Sequence, residues 1–285
     1  MASIRVLSLI EMILVNPSLK QAPFPPDQVL FEIKRLSDHA MLTSSSDGFL
    51  NVFDLNQQKV VERICCSEGR INNFKINCKD PSLVYTCSND CSIQCIDLRS
   101  SQKSPVRSLH SKKPLNSIDL RNNFLVSGSD FVNNECSVDL WDLRFNSIVG
   151  SNNELHTEDI TCVEFLSDNT LCSSSIDGLT SICLIDTFAC NGSEFVLNSG
   201  GSIAKTVGTS NNELNVFLST EEYLKWDLNS MTKRVSFGSI KQYNQDCLID
   251  IIEGSNSLLL FSGQYSGDFL LSTTDSNSII PLISF

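Results

Sequence analysis

The chain has 285 residues, of which 41% are hydrophobic and 19% charged, and its net charge is -12. That balance excludes a disordered chain, which would carry less apolar and more charged residue. The acidic sign, with no run of Lys or Arg beyond two, speaks against phosphate-backbone binding, which relies on clustered cations.

Residues 1–26 read as a segment apart from the rest. Val6 to Val15 is apolar except for Ser8 and Glu11. A signal peptide would want a cationic start, an unbroken apolar core and a small-residue cleavage site. Arg5 is the one early cation and Glu11 breaks the core, so secretion is not expected. No apolar run approaches the ~18 residues of a membrane span.

From residue 27 to 285 the strand signals recur at about 43 residues, and the stretch holds six periods. Each period predicts an apolar strand, a second strand ending in small polar residues, a tight Asp-Gly-like turn, and a third strand closed by Asp-Leu. The first copy is Met41 to Leu55 and the second Val84 to Leu98; a shift of 43 superposes Thr43 on Thr86, Asp47 on Asp90 and Asp54 on Asp97. The third ends in Leu140-Trp141-Asp142-Leu143. The fourth carries Ser173-Ser174-Ser175-Ile176-Asp177-Gly178. The fifth ends in Trp226-Asp227-Leu228, and Leu258 to Leu271 is the weakest copy. Asp-Gly suits a hairpin because it tolerates positive backbone dihedrals. Short strands at this spacing point to an all-β chain of radially repeated four-stranded sheets.

The Trp-Asp pairs at Trp141-Asp142 and Trp226-Asp227, with Ser175-Ile176-Asp177-Gly178, resemble the WD40-repeat β-propeller family. The resemblance covers roughly residues 27–275. It implies a non-catalytic platform for other proteins, without cofactor, in cytoplasm or nucleus, monomeric on its own. It also implies a structural network of His156, Ser174 and Asp177, with Asp47 and Asp90 in turns and Trp141 and Trp226 in third strands. Only the fourth copy supplies the His, Ser and Asp together, and there Cys183 stands where the family has Trp. Most copies are therefore expected to hold by apolar packing. The ring has either six blades or seven with a degenerate or incomplete member, and residues 5–15 can supply one closing strand.

Catalytic and metal chemistry find little support. His39 and His110 read as surface residues in inter-strand turns. His156, Asp177 and the nearby serines name the members of a hydrolytic triad, but a triad also needs an oxyanion hole and an open pocket. Cys87, Cys91 and Cys95 are expected on strand, turn and strand, without the paired Cys-x2-Cys spacing or nearby His of a zinc site. The 12 cysteines sit mostly in apolar stretches and read as small hydrophobes of a reducing compartment. Phe131, in the insertion Ser129 to Glu135, either tucks back or anchors a partner. Glu158, Asp159, Glu221, Glu222 and Tyr265 are expected in blade-edge turns. Should these share a face, it would favour a basic peptide, as an adaptor gripping basic protein tails in ribosome or chromatin work would need.

Overall fold

The computed structural model describes residues 30–37, 39–57, 59–188, 193–209, 211–220, 222–237, 247–253, 258–263, 269–274 and 279–284, with side chains described within 31–232. Among them stand six four-stranded antiparallel sheets, each built from four consecutive strands. Sheet 1 is β1 (Leu30–Ser37), β2 (Ala40–Ser45), β3 (Phe49–Asp54) and β4 (Lys59–Cys65). Sheet 2 is β5 (Ile71–Ile76), β6 (Leu83–Ser88), β7 (Ser92–Asp97) and β8 (Pro105–His110). Sheet 3 is β9 (Leu115–Arg121), β10 (Phe124–Ser129), β11 (Val138–Asp142) and β12 (Ser147–Asn152). Sheet 4 is β13 (Ile160–Phe165), β14 (Thr170–Ser175), β15 (Leu179–Leu184) and β16 (Phe195–Asn198). Sheet 5 is β17 (Ile203–Gly208), β18 (Glu213–Leu218), β19 (Tyr223–Asp227) and β20 (Thr232–Phe237). Sheet 6 is β21 (Cys247–Glu253), β22 (Leu258–Gly263), β23 (Phe269–Thr274) and β24 (Ile279–Ser284). The architecture is all-β and its sheets are blade-like. The N-terminal segment and its possible closing strand lie outside the described residues.

The closing Asp ends the third strand for a local reason. Asp54, Asp97, Asp142 and Asp227 each accept, through Oδ1, the backbone N–H two residues on, at 2.8–2.9 Å. This Asx turn competes with the ladder and turns the chain. Sheet 4 has Leu184 at that place, and a 3-10 turn at Ile185–Thr187 follows instead. The Asp-Gly turns behave as their chemistry dictates. Gly48 and Gly178 both sit at φ 82°, and a Cβ on Gly48 would lie 2.1 Å from the Ser67 carbonyl. In sheet 2 the same turn position is Cys91, at φ 69°.

The pairing of the first two strands shifts register at the same place in sheets 1 to 5, as between Leu30 and Glu32, Ile71 and Asn73, and Ile160 and Cys162, and further along the strand in sheet 6, between Leu248 and Asp250. A bulge there strengthens the right-handed twist of each blade. First strands of successive sheets pack beside one another from β1 through β5, β9 and β13 to β17. The core lies between sheets rather than within one. Leu42 and Leu50 of sheet 1 meet Phe74 and Ile96 of sheet 2; Val126 and Leu140 of sheet 3 meet Val163 and Leu171 of sheet 4. At roughly 2 kcal/mol for each fully buried large aliphatic side chain, these seams supply most of the driving force.

Candidate functional site

Polar side chains converge in two places: at the end of the sheets where second strands turn into third strands, and along the first strands. At the first, His156 lies in the connection from β12 to β13, its side chain wholly buried. Its Nε2 is 2.8 Å from Ser173 Oγ and its Nδ1 3.2 Å from Asp177 Oδ2. A carboxylate only accepts, so Nδ1 carries the proton and Nε2 accepts from the Ser173 hydroxyl. Burial lowers the imidazole pKa, and Asp177 only partly offsets this. Asp177 also accepts the N–H groups of Thr157 at 3.0 Å and Leu179 at 2.9 Å. Ser173 therefore faces the imidazole, whereas Ser174 meets Thr180 Oγ1 at 2.9 Å.

The arrangement cannot work as a hydrolytic triad. Ser173 is fully buried and the imidazole has no exposed edge, so no substrate carbonyl reaches the hydroxyl. Cys183, in the family's Trp position, is buried, and burial pushes its thiol up to about 12. Among the described residues ten cysteines are free thiols, and no group of three or more His, Cys, Asp or Glu could hold a metal.

Register shows what sequence comparison missed. Ile160 faces Ser175 as Ile71 faces Ser88 and Ile203 faces Leu218. Four residues before Ile160 is His156; the same step leads to Ser67 in sheet 2 and Ser199 before sheet 5. Ser67 takes over the histidine's contact with the turn Asp: its Oγ donates to Asp90 Oδ2 at 2.6 Å. The hydroxyl it stands 2.5 Å from, Ser88 Oγ, is the counterpart of Ser175 rather than of Ser173. Burial opposes the Asp90 charge, but the Ser67 hydroxyl and the Ser92 N–H bring its carboxyl down to about 2. Ser199 is equally buried, and its Oγ has no hydrogen-bond partner. Thr220 stands where Asp90 and Asp177 stand in their sheets.

The tryptophans divide in the same way. Trp141 Nε1 donates to Ser127 Oγ at 2.9 Å. Trp226 pairs with Leu214 as Trp141 pairs with Leu125, so the position of Ser127 is taken by Val216. Trp226 Nε1 is buried without an acceptor. In sheet 1 the pair is Phe53 and Thr43, and Thr43 Oγ1 lacks a partner. Asp47 turns outward, accepting from Ser45 Oγ and from Arg63 Nη2, both at 2.5 Å.

Of the residues with a partner-binding reading, Glu158 and Asp159 lie in the β12–β13 connection, and Glu158 is exposed. Phe131 is half-buried against the core between sheets 3 and 4, and its N–H donates to Asp159 Oδ1 at 2.7 Å. Asp130 next to it accepts from Asn116 Nδ2; burial and the Asp159 charge raise its pKa. Glu221 and Tyr265 lie outside the described residues. His39 is in the β1–β2 turn, but His110 is the exposed last residue of β8 rather than part of a turn.

Along the first strands, side chains of one sheet cap backbone donors of the next. Glu32 Oε2 accepts Phe74 N at 2.8 Å, Asn73 Oδ1 accepts Ile118 N at 3.3 Å, and Ser117 Oγ accepts Val163 N at 3.1 Å. One step along, Asp119 Oδ2 accepts Phe165 N at 2.8 Å and Glu164 Oε2 accepts Gly208 N at 2.9 Å. A first strand is an edge strand whose outward N–H groups would otherwise be orphaned. Cations thread the same ladder: Lys34 is 3.1 Å from Glu32, and Lys75 is 3.1 Å from Asp119. Burial opposes the Lys75 charge, but Asp119 and Glu32 outweigh it and hold the ammonium above its ordinary pKa.

No protein-family model matches the chain. Among the proteins it is similar to are three WD-repeat proteins. The uncharacterized WD repeat-containing protein C63.06 of Schizosaccharomyces pombe is 28% identical over 260 residues, 84% of this chain and 77% of that protein. The uncharacterized WD repeat-containing protein YNL035C of Saccharomyces cerevisiae is 31% identical over 150 residues, 50% of this chain and 38% of that one. The WD repeat-containing protein 55 homolog of Dictyostelium discoideum is 27% identical over 150 residues, 51% of this chain and 35% of that one. The match thus spans most of the first relative and little more than a third of the other two.

Proposed function

We propose that the chain is a WD40-type propeller, closed through its successive first strands, that acts as a non-catalytic scaffold for other proteins in cytoplasm or nucleus. Similarity to WD-repeat proteins, together with blade-like sheets, supports this reading. The observation that carries it is the use made of the polar groups. His156, Ser173 and Asp177 are consumed by bonds to one another and to backbone, which builds a rigid frame. Recognition is left to the loops at the sheet ends. Within the family, Leu140 to Ser147, His156 to Phe165, Ile176 to Leu179 and Tyr223 to Asn229 resemble WD repeat-containing protein 89.

Affinity purification of the tagged full chain, with mass spectrometry, tests the scaffold. Partners should co-purify in stoichiometric amount and be lost when exposed loop residues such as Glu158 are changed to Lys. A chain that runs alone in cross-linked native extract refutes it.

A second reading is favoured by the Asp130–Asp159 pair. Burial and the Asp159 charge act on Asp130 beside Glu158, and neither carboxylate makes an ion pair among the described residues. This end of the sheets would attract a basic tail, as in an adaptor of ribosome or chromatin work. A Lys/Arg-rich peptide should bind with strong salt dependence, and Glu158→Lys should weaken it; equal binding at low and high salt refutes it.

A further inference from the structure

The three acids on the first strands of sheets 1 to 5 are not equivalent. Glu32 has Lys34 at 3.1 Å and Asp119 has Lys75 at 3.1 Å. Glu164 carries out the same task, crossing from β13 to accept Gly208 N of β17 at 2.9 Å, but has no cation within ion-pair distance among the described residues. Its carboxyl is pressed close to the strand it holds: a Cβ on Gly208 would lie 2.7 Å from Leu166 Cδ2 and 3.7 Å from Glu164 Oε1. The titratable groups around it come from every packed element whose side chains are described. They are Cys162 on its own strand, Cys172 on β14, Asp119 on β9, Lys75 on β5 and Lys205 on β17. The two lysines act on it only from beyond contact distance. Asp119 repels it, and both thiols are themselves held protonated by burial.

We infer that the seam between sheets 4 and 5 is a pH-responsive latch: Glu164 holds β17 as a neutral acid, and loss of its proton favours opening of the seam. A buried acid without a counter-ion is stable uncharged and costly charged. When the seam opens, the carboxyl reaches water and regains its ordinary acidity. Opening therefore releases a proton over the interval in which the closed form keeps it. Burial pushes the closed-form pKa up to about 7, from an ordinary 4.5, against the opposing pull of Gly208 N–H and Lys75. By linkage, the opening constant rises with pH between these values and levels off above the upper one. From pH 6 to pH 8 the rise is about tenfold. Glu32, with Lys34 beside it, is held below its ordinary pKa despite burial and imposes no such dependence on the seam it spans.

Amide hydrogen exchange of the full chain tests this. Protection of the peptide over β17–β18, corrected for intrinsic base catalysis, should fall about tenfold from pH 6 to pH 8. Protection over β5–β6 should stay level as the internal reference. Glu164→Gln, and separately the near-isosteric Glu164→Met, should abolish the pH dependence while preserving the β5–β6 reference. Level protection of β17–β18 in the unaltered chain overturns the inference. So does a slope that survives in either variant, or an equal fall over β5–β6, which would mark a change in global stability.

Discussion

Replacing His156 by Ala should destabilise the fold by about 3 kcal/mol. Two hydrogen bonds are lost, one to a hydroxyl and one to a carboxylate, at ~1–2 kcal/mol each. The emptied imidazole volume adds on the order of 1 kcal/mol, because its surroundings are fully packed. The loss is limited because Asp177 keeps the N–H groups of Thr157 and Leu179. Only Ser173 is left without its partner. Equilibrium unfolding in guanidinium, followed by tryptophan fluorescence, reports on this directly, since Trp141 and Trp226 lie in the two sheets that flank sheet 4. The effect should also depend on pH. The buried imidazole has a lowered pKa, so the unfolded chain takes up a proton that the folded chain refuses. The contribution of His156 is whole above the ordinary histidine pKa of about 6.5 and declines as pH falls below it. The penalty of His156→Ala should therefore shrink from pH 8 to pH 5.5. A penalty below about 1 kcal/mol at pH 8, or one that grows in acid, refutes the network as a stabilising unit.

Two further predictions follow from the register. Thr220→Asp places a carboxylate where Asp90 meets Ser67, and should give the orphaned Ser199 hydroxyl an acceptor; the midpoint of unfolding should rise by about 1 kcal/mol equivalent. An unchanged midpoint would show that the Ser199 hydroxyl does not reach the turn. Val216→Thr puts a hydroxyl beside the Trp226 indole, as Ser127 does beside Trp141, so it should be nearly neutral, whereas a hydroxyl buried without partner costs ~1–3 kcal/mol. Thermal unfolding of this variant decides between the two.

Sequence and structure agree where the chemistry is local. Asp-Leu closures, Asp-Gly turns and the Trp-Asp pairs are legible because each makes its turn or ladder within a few residues. The pairing of His156 with Asp177 is legible because its residue types match a known pattern, but its serine is not: Ser174 is the expected partner, and Ser173, on the opposite face of the strand, meets the imidazole instead. Ser67 was not legible as the counterpart of His156: a hydroxyl reaches the same Asp by a shorter path, and letter-by-letter comparison of repeats scores the change as a loss. Expecting most sheets to hold by apolar packing therefore understates the polar bonding of sheet 2. The ladder on the first strands is hidden for a different reason. Its acceptors are Glu32, Asn73, Ser117, Asp119 and Glu164, five positions of four residue types with no common letter. They share only a direction in space, set by the bulge that recurs in each first strand. Phe131 could not be placed from sequence, since burial of a loop aromatic depends on what the neighbouring sheet offers.

That variety along the ladder bears on assembly order. Repeats of similar outline are prone to dock on the wrong neighbour while they fold. Here each junction is written in its own chemistry: a carboxylate with a lysine beside it, an amide, a hydroxyl, or a carboxylic acid without a counter-ion. A sheet that skipped one place would bring a donor to the wrong length of side chain, or a charge to a site lacking its opposite. The junctions thus work as addresses, and the similarity of the repeats does not make them interchangeable.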